Sequence, residues 1–158
     1  MNFDQAFDKL LEHEGGYSDH AADPGGKTRY GVTEAVAREV GYRGDMQALP
    51  LALAKRIYLE RYWLPVRADE LPAAIRYAVF DGAVNSGVRQ SVRWLQRAVD
   101  ATDDGVIGPA TFAAVNRNDP EVLLRRLLAQ RLNFMAALPT WPSFGRGWTR
   151  RIASLMEV

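Results

Sequence analysis

The chain has 158 residues, of which 47% are hydrophobic and 25% are charged, a balance typical of one soluble globular domain rather than a disordered chain. Its 20 basic and 19 acidic side chains leave a formal charge of +1, which gives no overall field for nucleic acid. The absence of cysteine excludes disulfides, thiolate metal sites and a cysteine nucleophile. No run approaches the roughly 18 apolar residues of a membrane-spanning helix, and the first residues lack the features of a signal peptide.

Helices punctuated by glycine and proline are predicted along the whole chain. Asn2 and Gln5 fit a capping box that opens a first helix, and the glycine pair at 15–16 ends it. The glycine-rich residues 15–31 are predicted to form a long loop or a short hairpin, which is uncommon unless it serves a function. Further helices are predicted by the same signals at about 33–41, 51–63, 72–84, 88–101, from 109, 120–138 and 148–156, with a loop at 139–147. The predicted fold class is therefore all-α.

The first helix carries a glutamate on its apolar side. Apolar residues recur at helical spacing at Phe3, Phe7, Leu10 and Leu11. At about 100° per residue, Glu14 falls within about 20° of Phe3, whereas Glu12 points to the opposite side. A carboxyl group in an apolar setting holds its proton more readily, which suits a general acid. The alternative is a glutamate at a fraying helix end, solvated or paired with an arginine.

The segment after Glu14 carries carboxylate, hydroxyl and aromatic side chains, namely Tyr17, Asp19, Asp23, Thr28 and Tyr30. A glutamic acid with a nearby aspartate or hydroxyl that orients water is a minimum set for glycoside hydrolysis. His13 and His20 with the two aspartates offer zinc-ligand types, but the His-Glu-x-x-His spacing and a third histidine are missing. We therefore expect no metal and no cofactor.

Several sequence blocks occur in order along the chain. In the first half they are residues 14–17 (Glu-Gly-Gly-Tyr), 23–33, 62–63 and 80–87, and in the second half they are 94–98, 104–111 and 147–151. In this order the blocks resemble glycoside hydrolase family 108, which comprises N-acetylmuramidases of bacteriophage endolysins and bacterial genomes, some labelled secretion activators. The second half is similar to that family's predicted peptidoglycan-binding region.

The resemblance implies a lysozyme-like helical fold and cleavage of the β-1,4 bond between N-acetylmuramic acid and N-acetylglucosamine. It identifies Glu14 as the catalytic glutamate, in agreement with the helix-wheel argument. It also implies a catalytic region at 1–88 and a peptidoglycan-binding region at 89–158. Each region alone would be marginal in size, so we expect the two to share one globular unit.

The second catalytic group has more than one candidate. Eight residues separate Glu14 from Asp23, as in phage-type lysozymes, and Thr28 is the candidate for the third member of their set. Only four residues separate Asp23 from Thr28, one fewer than in that pattern, so Arg29 stands where the strict spacing would put the hydroxyl. Asp19 is a rival carboxylate. In this hypothesis Glu14 protonates the glycosidic oxygen while Asp23 or Thr28 steers water onto the sugar.

Other residues have both a structural and a functional interpretation. Trp94 follows an apolar stripe and is expected in the core, whereas Trp141, between two prolines of the 139–147 loop, is the better glycan candidate. Asn85 is either a helix cap or a substrate contact, and Tyr17, Asp19 and Tyr30 join it as candidate substrate-binding residues. The acidic residues at 103–104 lack the alternating acids of a calcium loop and are predicted to form a plain turn.

The expected partner is bacterial peptidoglycan, with no role for nucleic acid, and the protein is expected to be a monomer. Exposed cations could assist its approach to the anionic envelope: Arg125, Arg126, Arg131, Arg146, Arg150 and Arg151. As an endolysin it would wait in the host cytoplasm until released to the wall. The alternatives are a non-catalytic wall-binding or secretion-associated module, and an amidase or peptidase that cuts the peptide stem.

Overall fold

The computed structural model describes residues 1–13, 16–19 and 26–157 of the chain. The chain divides into two compact units, one of residues Asn2–Arg61 and one that runs from Tyr62 onward and includes Met1. Among the described residues there are eight α-helices and one small sheet, so the all-α prediction is confirmed, as is a small hairpin after the first helix. No helix in the described ranges is long and apolar enough to cross a membrane.

The first unit begins with a capped amphipathic helix. Helix α1 spans Phe3–His13, and the predicted capping box is present: Gln5 N donates to Asn2 Oδ1 and Asn2 N donates to Gln5 Oε1, both at 3.0 Å. Phe7 and Leu10 are buried, which confirms the predicted apolar stripe over the described part of the helix. Phe7 packs against Tyr58 with 5.5 Å between ring centroids. The capping box sets where α1 begins, and the buried residues define the side that faces the core.

The sheet of this unit has three short antiparallel strands. Strand β1 is Tyr17–Ser18, β2 is Thr28–Arg29 and β3 is Val32–Thr33, in the order β1-β2-β3. Helix α2 (Glu34–Glu39) follows directly, and Thr33 caps it by accepting a hydrogen bond from Val36 N at 3.3 Å, as predicted. The unit continues with a 3₁₀ turn at Met46–Ala48 and helix α3 at Leu51–Tyr58. A π-helical segment at Leu59–Trp63 contains the division between the units.

The second unit is built around a helix that is buried on most sides. A 3₁₀ turn at Ala68–Glu70 precedes helix α4 (Ala73–Ser86), which packs against α5 (Val88–Ala98) and α7 (Pro120–Ala136). A Cβ at Gly82 would lie 2.8 Å from Ser91 Oγ, so any larger residue would have to displace the Ser91 side chain where α4 meets α5. Ser91 Oγ in turn donates to the Val79 carbonyl at 2.7 Å. Trp94 is buried here, which confirms its assignment to the core.

One carboxylate lies inside this helical unit. Asp81 of α4 is fully buried and accepts hydrogen bonds from Arg131 Nη1 of α7 at 2.5 Å and from Arg151 Nε of the last helix, α8 (Trp141–Met156), at 2.9 Å. Arg131 is itself only 2% exposed, and its guanidinium lies over the Trp94 ring at 5.8 Å. A buried charge is retained when it is paired and hydrogen-bonded. Asp81, Arg131 and Arg151, the Asp81 cluster, therefore connect three helices. The two arginines lie 50 and 70 positions after Asp81 in the sequence.

A buried amide organises the turn before helix α6 (Pro109–Val115). Gln96 Nε2 donates to Asp104 Oδ1 at 2.8 Å and to Thr111 Oγ1 at 3.1 Å, and Gln96 Oε1 accepts from Gly105 N at 2.8 Å. The pKa of Asp104 is lowered, chiefly because its carboxylate accepts the Val106 backbone N–H. Side-chain and backbone groups of the protein therefore hydrogen-bond this segment as a turn, as the sequence predicts for residues 103–104.

The last helix begins earlier than the sequence predicts. Helix α8 spans Trp141–Met156, so the prediction of a loop at 139–147 is wrong over its second part. Pro142 lies in the first turn, where its missing N–H has no partner to lose. A Cβ at Gly145 would lie 2.6 Å from Trp141 Cδ2, which shows that this glycine makes room for the indole rather than ending the helix. Helix α8 packs on α7.

Candidate functional site

The two carboxylates central to the sequence hypothesis, Glu14 and Asp23, lie outside the described residues, as does His20. The described part of α1 ends at His13, and Glu12 is exposed, as the helix wheel predicts. No group of three His, Asp or Glu side chains in the described ranges is arranged to hold a metal ion. Among the described residues, the candidate functional features are therefore the sheet of the first unit and, separately, a cavity within the second.

The sheet separates two of the candidate residues from a third. Directly opposed residues of antiparallel strands share a face, and successive residues alternate between faces. Tyr17 stands opposite Arg29, and Ser18 stands opposite Thr28, which also pairs with Thr33. Tyr17 and Thr28 therefore occupy opposite faces. Thr28 is half-buried, and its face carries a row of three hydroxyl residues across the sheet.

Asp19 follows β1 and turns back toward the first residue of that strand. The Tyr17 hydroxyl donates to Asp19 Oδ2 at 3.5 Å, at the limit of a hydrogen bond. The structure thus brings Tyr17 and Asp19 together. The carboxylate of Asp19 is exposed to solvent.

Tyr30 shapes the turn between β2 and β3. Its backbone has φ of 51°, in the left-handed region, and its carbonyl accepts a hydrogen bond from the Tyr58 hydroxyl at 3.0 Å. The guanidinium of Arg29 lies 4.6 Å from the centre of the Tyr30 ring, and Arg29 Nη2 donates to the Tyr30 hydroxyl at 3.2 Å. These contacts give Tyr30 a structural role in the turn whatever else it binds.

In the sequence, Arg29 stands out only because it occupies the position at which the phage-lysozyme spacing would put a hydroxyl. Its Nε–H is buried and has no acceptor among the described residues. Such a donor costs free energy unless an acceptor reaches it. The signal available in the sequence was its place between the candidate residues Thr28 and Tyr30.

Asn85 lies in the last turn of α4, at the edge of a cavity. Its Nδ2 donates to the Asp81 carbonyl at 2.7 Å, and the residue is otherwise exposed. The cavity has a volume of about 140 Å³ and lies within the second unit. Its lining combines polar and apolar side chains from α4, α7, α8 and the segment before α8: Asn85, Ser86, Arg131, Met135, Leu138, Trp148 and Arg151.

Trp141 belongs to an aromatic group on helix α8 rather than to a loop. Its ring centroid is 6.1 Å from that of Trp148, and Phe144 stacks on the other indole at 5.8 Å with 26° between the planes. Phe144 is 56% exposed, while both tryptophans are half-buried. The group therefore presents aromatic surface to solvent beside the cavity that Trp148 lines.

The arginine set of the second half divides into two groups. The prediction that Arg131 is a surface cation is wrong, because its guanidinium is buried against Asp81. Arg151 also holds Asp81, and its side chain is 16% exposed. The exposed cations that remain are Arg125, Arg126, Arg146 and Arg150.

The comparisons with known proteins agree across both halves. A family model described as glycosyl hydrolase 108 matches residues 7–87, and one described as a predicted peptidoglycan domain matches residues 90–153. The solved structure of Brucella abortus SagA is similar with a TM-score of 0.88 and 37% identity, over 98% of this chain and 91% of that chain. No curated protein matches the chain significantly. The resemblance drawn from the sequence blocks is confirmed, and the chain belongs to the glycosyl hydrolase 108 family.

Proposed function

We propose that this glycoside hydrolase is an N-acetylmuramidase that cleaves the β-1,4 bond between N-acetylmuramic acid and N-acetylglucosamine. Membership of glycosyl hydrolase 108 indicates hydrolysis of a glycosidic bond, and the peptidoglycan domain at 90–153 indicates the polymer that carries it. The observation that carries the proposal is this pairing of two matches in one chain. A non-catalytic wall-binding module would not need the first.

Glu14 is the proposed general acid. It follows Leu10 by four residues and Phe7 by seven, and both of these are buried in α1. Residues four and seven positions apart fall on the same side of a helix, so the spacing predicts Glu14 on the apolar side. A carboxyl group beside apolar side chains keeps its proton near neutral pH and can deliver it to a glycosidic oxygen.

The partner of Glu14 is proposed to be Asp23 or Thr28, with Asp19 as the rival. Either partner would orient a water molecule toward the anomeric carbon as the glycosidic oxygen accepts the proton. Thr28 is held in β2 between Ser18 and Thr33, which supports a fixed hydroxyl. Asp19 lies on the side of Tyr17, so substitutions of Thr28 and Asp19 perturb different faces of the sheet. Rate losses of purified Asp23→Asn, Thr28→Val and Asp19→Asn variants rank the three.

Digestion of purified peptidoglycan tests the activity and its acid together. Wild type is expected to release muropeptides that end in reducing N-acetylmuramic acid, identified by mass spectrometry. Glu14→Gln is expected to lose at least about a hundredfold in rate, because general acid catalysis typically contributes that much. Glu12→Gln is the matched control, since Glu12 is exposed on the same helix and should retain the wild-type rate.

Four results would contradict the proposal. Equal losses in the Glu12 and Glu14 variants would remove the acid role, and free stem peptides would indicate an amidase or peptidase. Wall binding without any product would indicate a non-catalytic module. Activity that disappears with a chelator would indicate metal chemistry in place of the carboxylate mechanism.

We also propose that the protein acts as a monomeric endolysin, held in the host cytoplasm until it is released to the wall. The division into regions 1–88 and 89–158 remains part of this proposal. The exposed arginines 125, 126, 146 and 150 would assist contact with the anionic envelope. Salt titration of wall binding by an Arg146→Gln, Arg150→Gln variant measures that contribution, and an unchanged salt dependence would contradict it.

A further inference from the structure

The cavity beside Asn85 is built from both sequence regions of the family match. Asn85 and Ser86 belong to the region matched at 7–87, and the other lining residues belong to the region matched at 90–153. All of them lie in the unit that runs from Tyr62 onward. Neither region forms this cavity by itself.

The size of the cavity limits what can enter it. Its volume is about 140 Å³. Sites that enclose a whole small-molecule ligand are typically about 300–1,000 Å³, so this cavity fits one substituent rather than a sugar ring. The occupant is therefore a side group of a larger molecule that remains outside.

The lining offers both apolar contact and hydrogen bonds. Met135, Leu138 and Trp148 supply apolar walls. Arg131 also lines the cavity, but it is only 2% exposed and its Nη1 is held by Asp81. Asn85 uses Nδ2 on the Asp81 carbonyl, which leaves its Oδ1 and its second N–H for another group. Ser86 adds a hydroxyl at the exposed rim.

We propose that this cavity binds the acetamido group of an N-acetylated sugar in the glycan strand. An acetamido group has a methyl for the apolar walls, a carbonyl that accepts from the Ser86 hydroxyl or from the second amide N–H of Asn85, and an N–H that donates to Asn85 Oδ1. The proposal rests on peptidoglycan being the substrate. It makes the cavity the element that distinguishes N-acetylated sugars from sugars with a hydroxyl at the same position.

The aromatic group on α8 extends this site along the sugar. Phe144 is exposed and stacks on Trp148, which also lines the cavity. The C–H-rich face of a pyranose ring packs on flat aromatic surface of this kind. The sugar ring would lie on the aromatic group while its acetamido group enters the cavity.

A carboxylate of the peptide stem is the competing occupant. Arg131 and Arg151 already share one carboxylate, that of Asp81, with hydrogen bonds of 2.5 and 2.9 Å. The neutral donors and acceptors of Asn85 and Ser86 complement an amide better than a second anion. The experiment separates the two occupants.

The binding of short oligosaccharides tests the proposal. The Glu14→Gln protein is titrated calorimetrically with three ligands: the tetramer of N-acetylglucosamine, cellotetraose and a tripeptide of the peptidoglycan stem. Cellotetraose has the same β-1,4 backbone and a hydroxyl in place of each acetamido group. The N-acetylated tetramer is expected to bind and cellotetraose to bind at least about tenfold more weakly, because the polar groups of the site would then lack their partners. Asn85→Ala is expected to weaken binding of the N-acetylated tetramer about tenfold.

Asn118→Ala is the matched control for this variant. Asn118 Nδ2 donates to the Ala114 carbonyl at 2.8 Å, the same four-residue bond that Asn85 makes, and Asn118 does not line the cavity. This variant should bind as the parent does. Ser86→Leu is a second probe, because Ser86 is exposed and a larger side chain there blocks the rim without disturbing the core. It should also lose binding while its melting temperature stays unchanged.

Each outcome decides the proposal. Equal affinity for both tetramers, no binding of the N-acetylated one, unchanged binding by the Asn85 and Ser86 variants, or preference for a stem tripeptide would overturn it. Loss of binding in both variants but not in the Asn118 control would support it. A wild type that digests no peptidoglycan but shows this N-acetyl-dependent binding would refute the muramidase proposal and leave the acetamido site standing.

Discussion

The buried Asp81 cluster makes a sharp prediction about stability. Replacing Asp81 with asparagine keeps the size of the side chain and removes its charge. Arg131, which is 2% exposed, would then remain inside the protein without the carboxylate that faces its Nη1 at 2.5 Å. Arg151 would lose the same partner. The substitution should therefore destabilise the unit that contains helices α4, α7 and α8.

The size of the effect follows from the burial of both partners. Breaking a buried ion pair by removing one member costs about 3–5 kcal/mol, because the remaining charge stays desolvated. For a chain of this length, about 1 kcal/mol lowers the melting temperature by roughly 2–4 °C. We therefore expect Asp81→Asn to melt roughly 6–20 °C below wild type.

Asp103→Asn is the control for the chemistry of the substitution. Asp103 pairs with Arg97 at 2.6 Å, but both side chains are 43% exposed. Exposed pairs contribute little to stability, so this variant should melt within a few degrees of wild type. Urea and thermal unfolding, followed by circular dichroism, compare the two. An Asp81→Asn protein no less stable than the Asp103 control would refute the argument from burial.

The remaining predictions concern acid and packing. Hydrogen bonding from Arg97 lowers the pKa of Asp103, and the pKa of Asp104 is also lowered, so folding favours both ionised forms. That stabilisation is complete above the unfolded pKa of about 4 and is lost as the pH falls through the folded pKa values. The urea concentration at the unfolding midpoint should therefore decrease when the pH is lowered below about 4. The decrease should be smaller in Asp103→Asn. An identical acid slope in that variant would contradict the assignment. Gly145→Ala should cost about 1–3 kcal/mol in urea unfolding, because the new methyl would meet Trp141, and a neutral result would show that the indole moves aside.

Local signals in the sequence predicted most of the helices. The Asn2 capping box, the Thr33 cap and the Asp119-Pro120 start of α7 all involve residues within three positions of each other. Such contacts are set by neighbouring residues, so a sequence pattern carries them in full. The apolar stripe of α1 was predictable for the same reason.

Contacts between distant residues were not predictable in this way. Asp81 meets arginines 50 and 70 positions away, and no periodicity pairs them. One signal was present: Asp81 is the lone charged residue between Arg76 and Arg89. The start of α8 was missed because Pro142, Gly145 and Gly147 are strong local breakers, yet the first indole occupies the space that Gly145 leaves. Tertiary packing overrode the local preference there.

For the candidate site, the sequence supplied residue types but not their faces. It placed Tyr17, Asp19 and Thr28 in one segment, and the strand register then separated Thr28 from the other two. The cavity at Asn85 depends on α7 and α8, so nothing near Asn85 in the sequence could predict it.

Helix α4 has a consequence for how this gene can be recombined. The family regions meet between residues 87 and 90, but α4 lies before that junction and packs against α5 and α7, which lie after it. A crossover at the junction would join an α4 from one parent to the partner helices of another, and the Asp81 carboxylate would face arginines it did not evolve with. A crossover at 61–62 would inherit α4 and its partners together. The boundary between the two compact units therefore lies before α4, whereas the boundary between the two family regions lies after it.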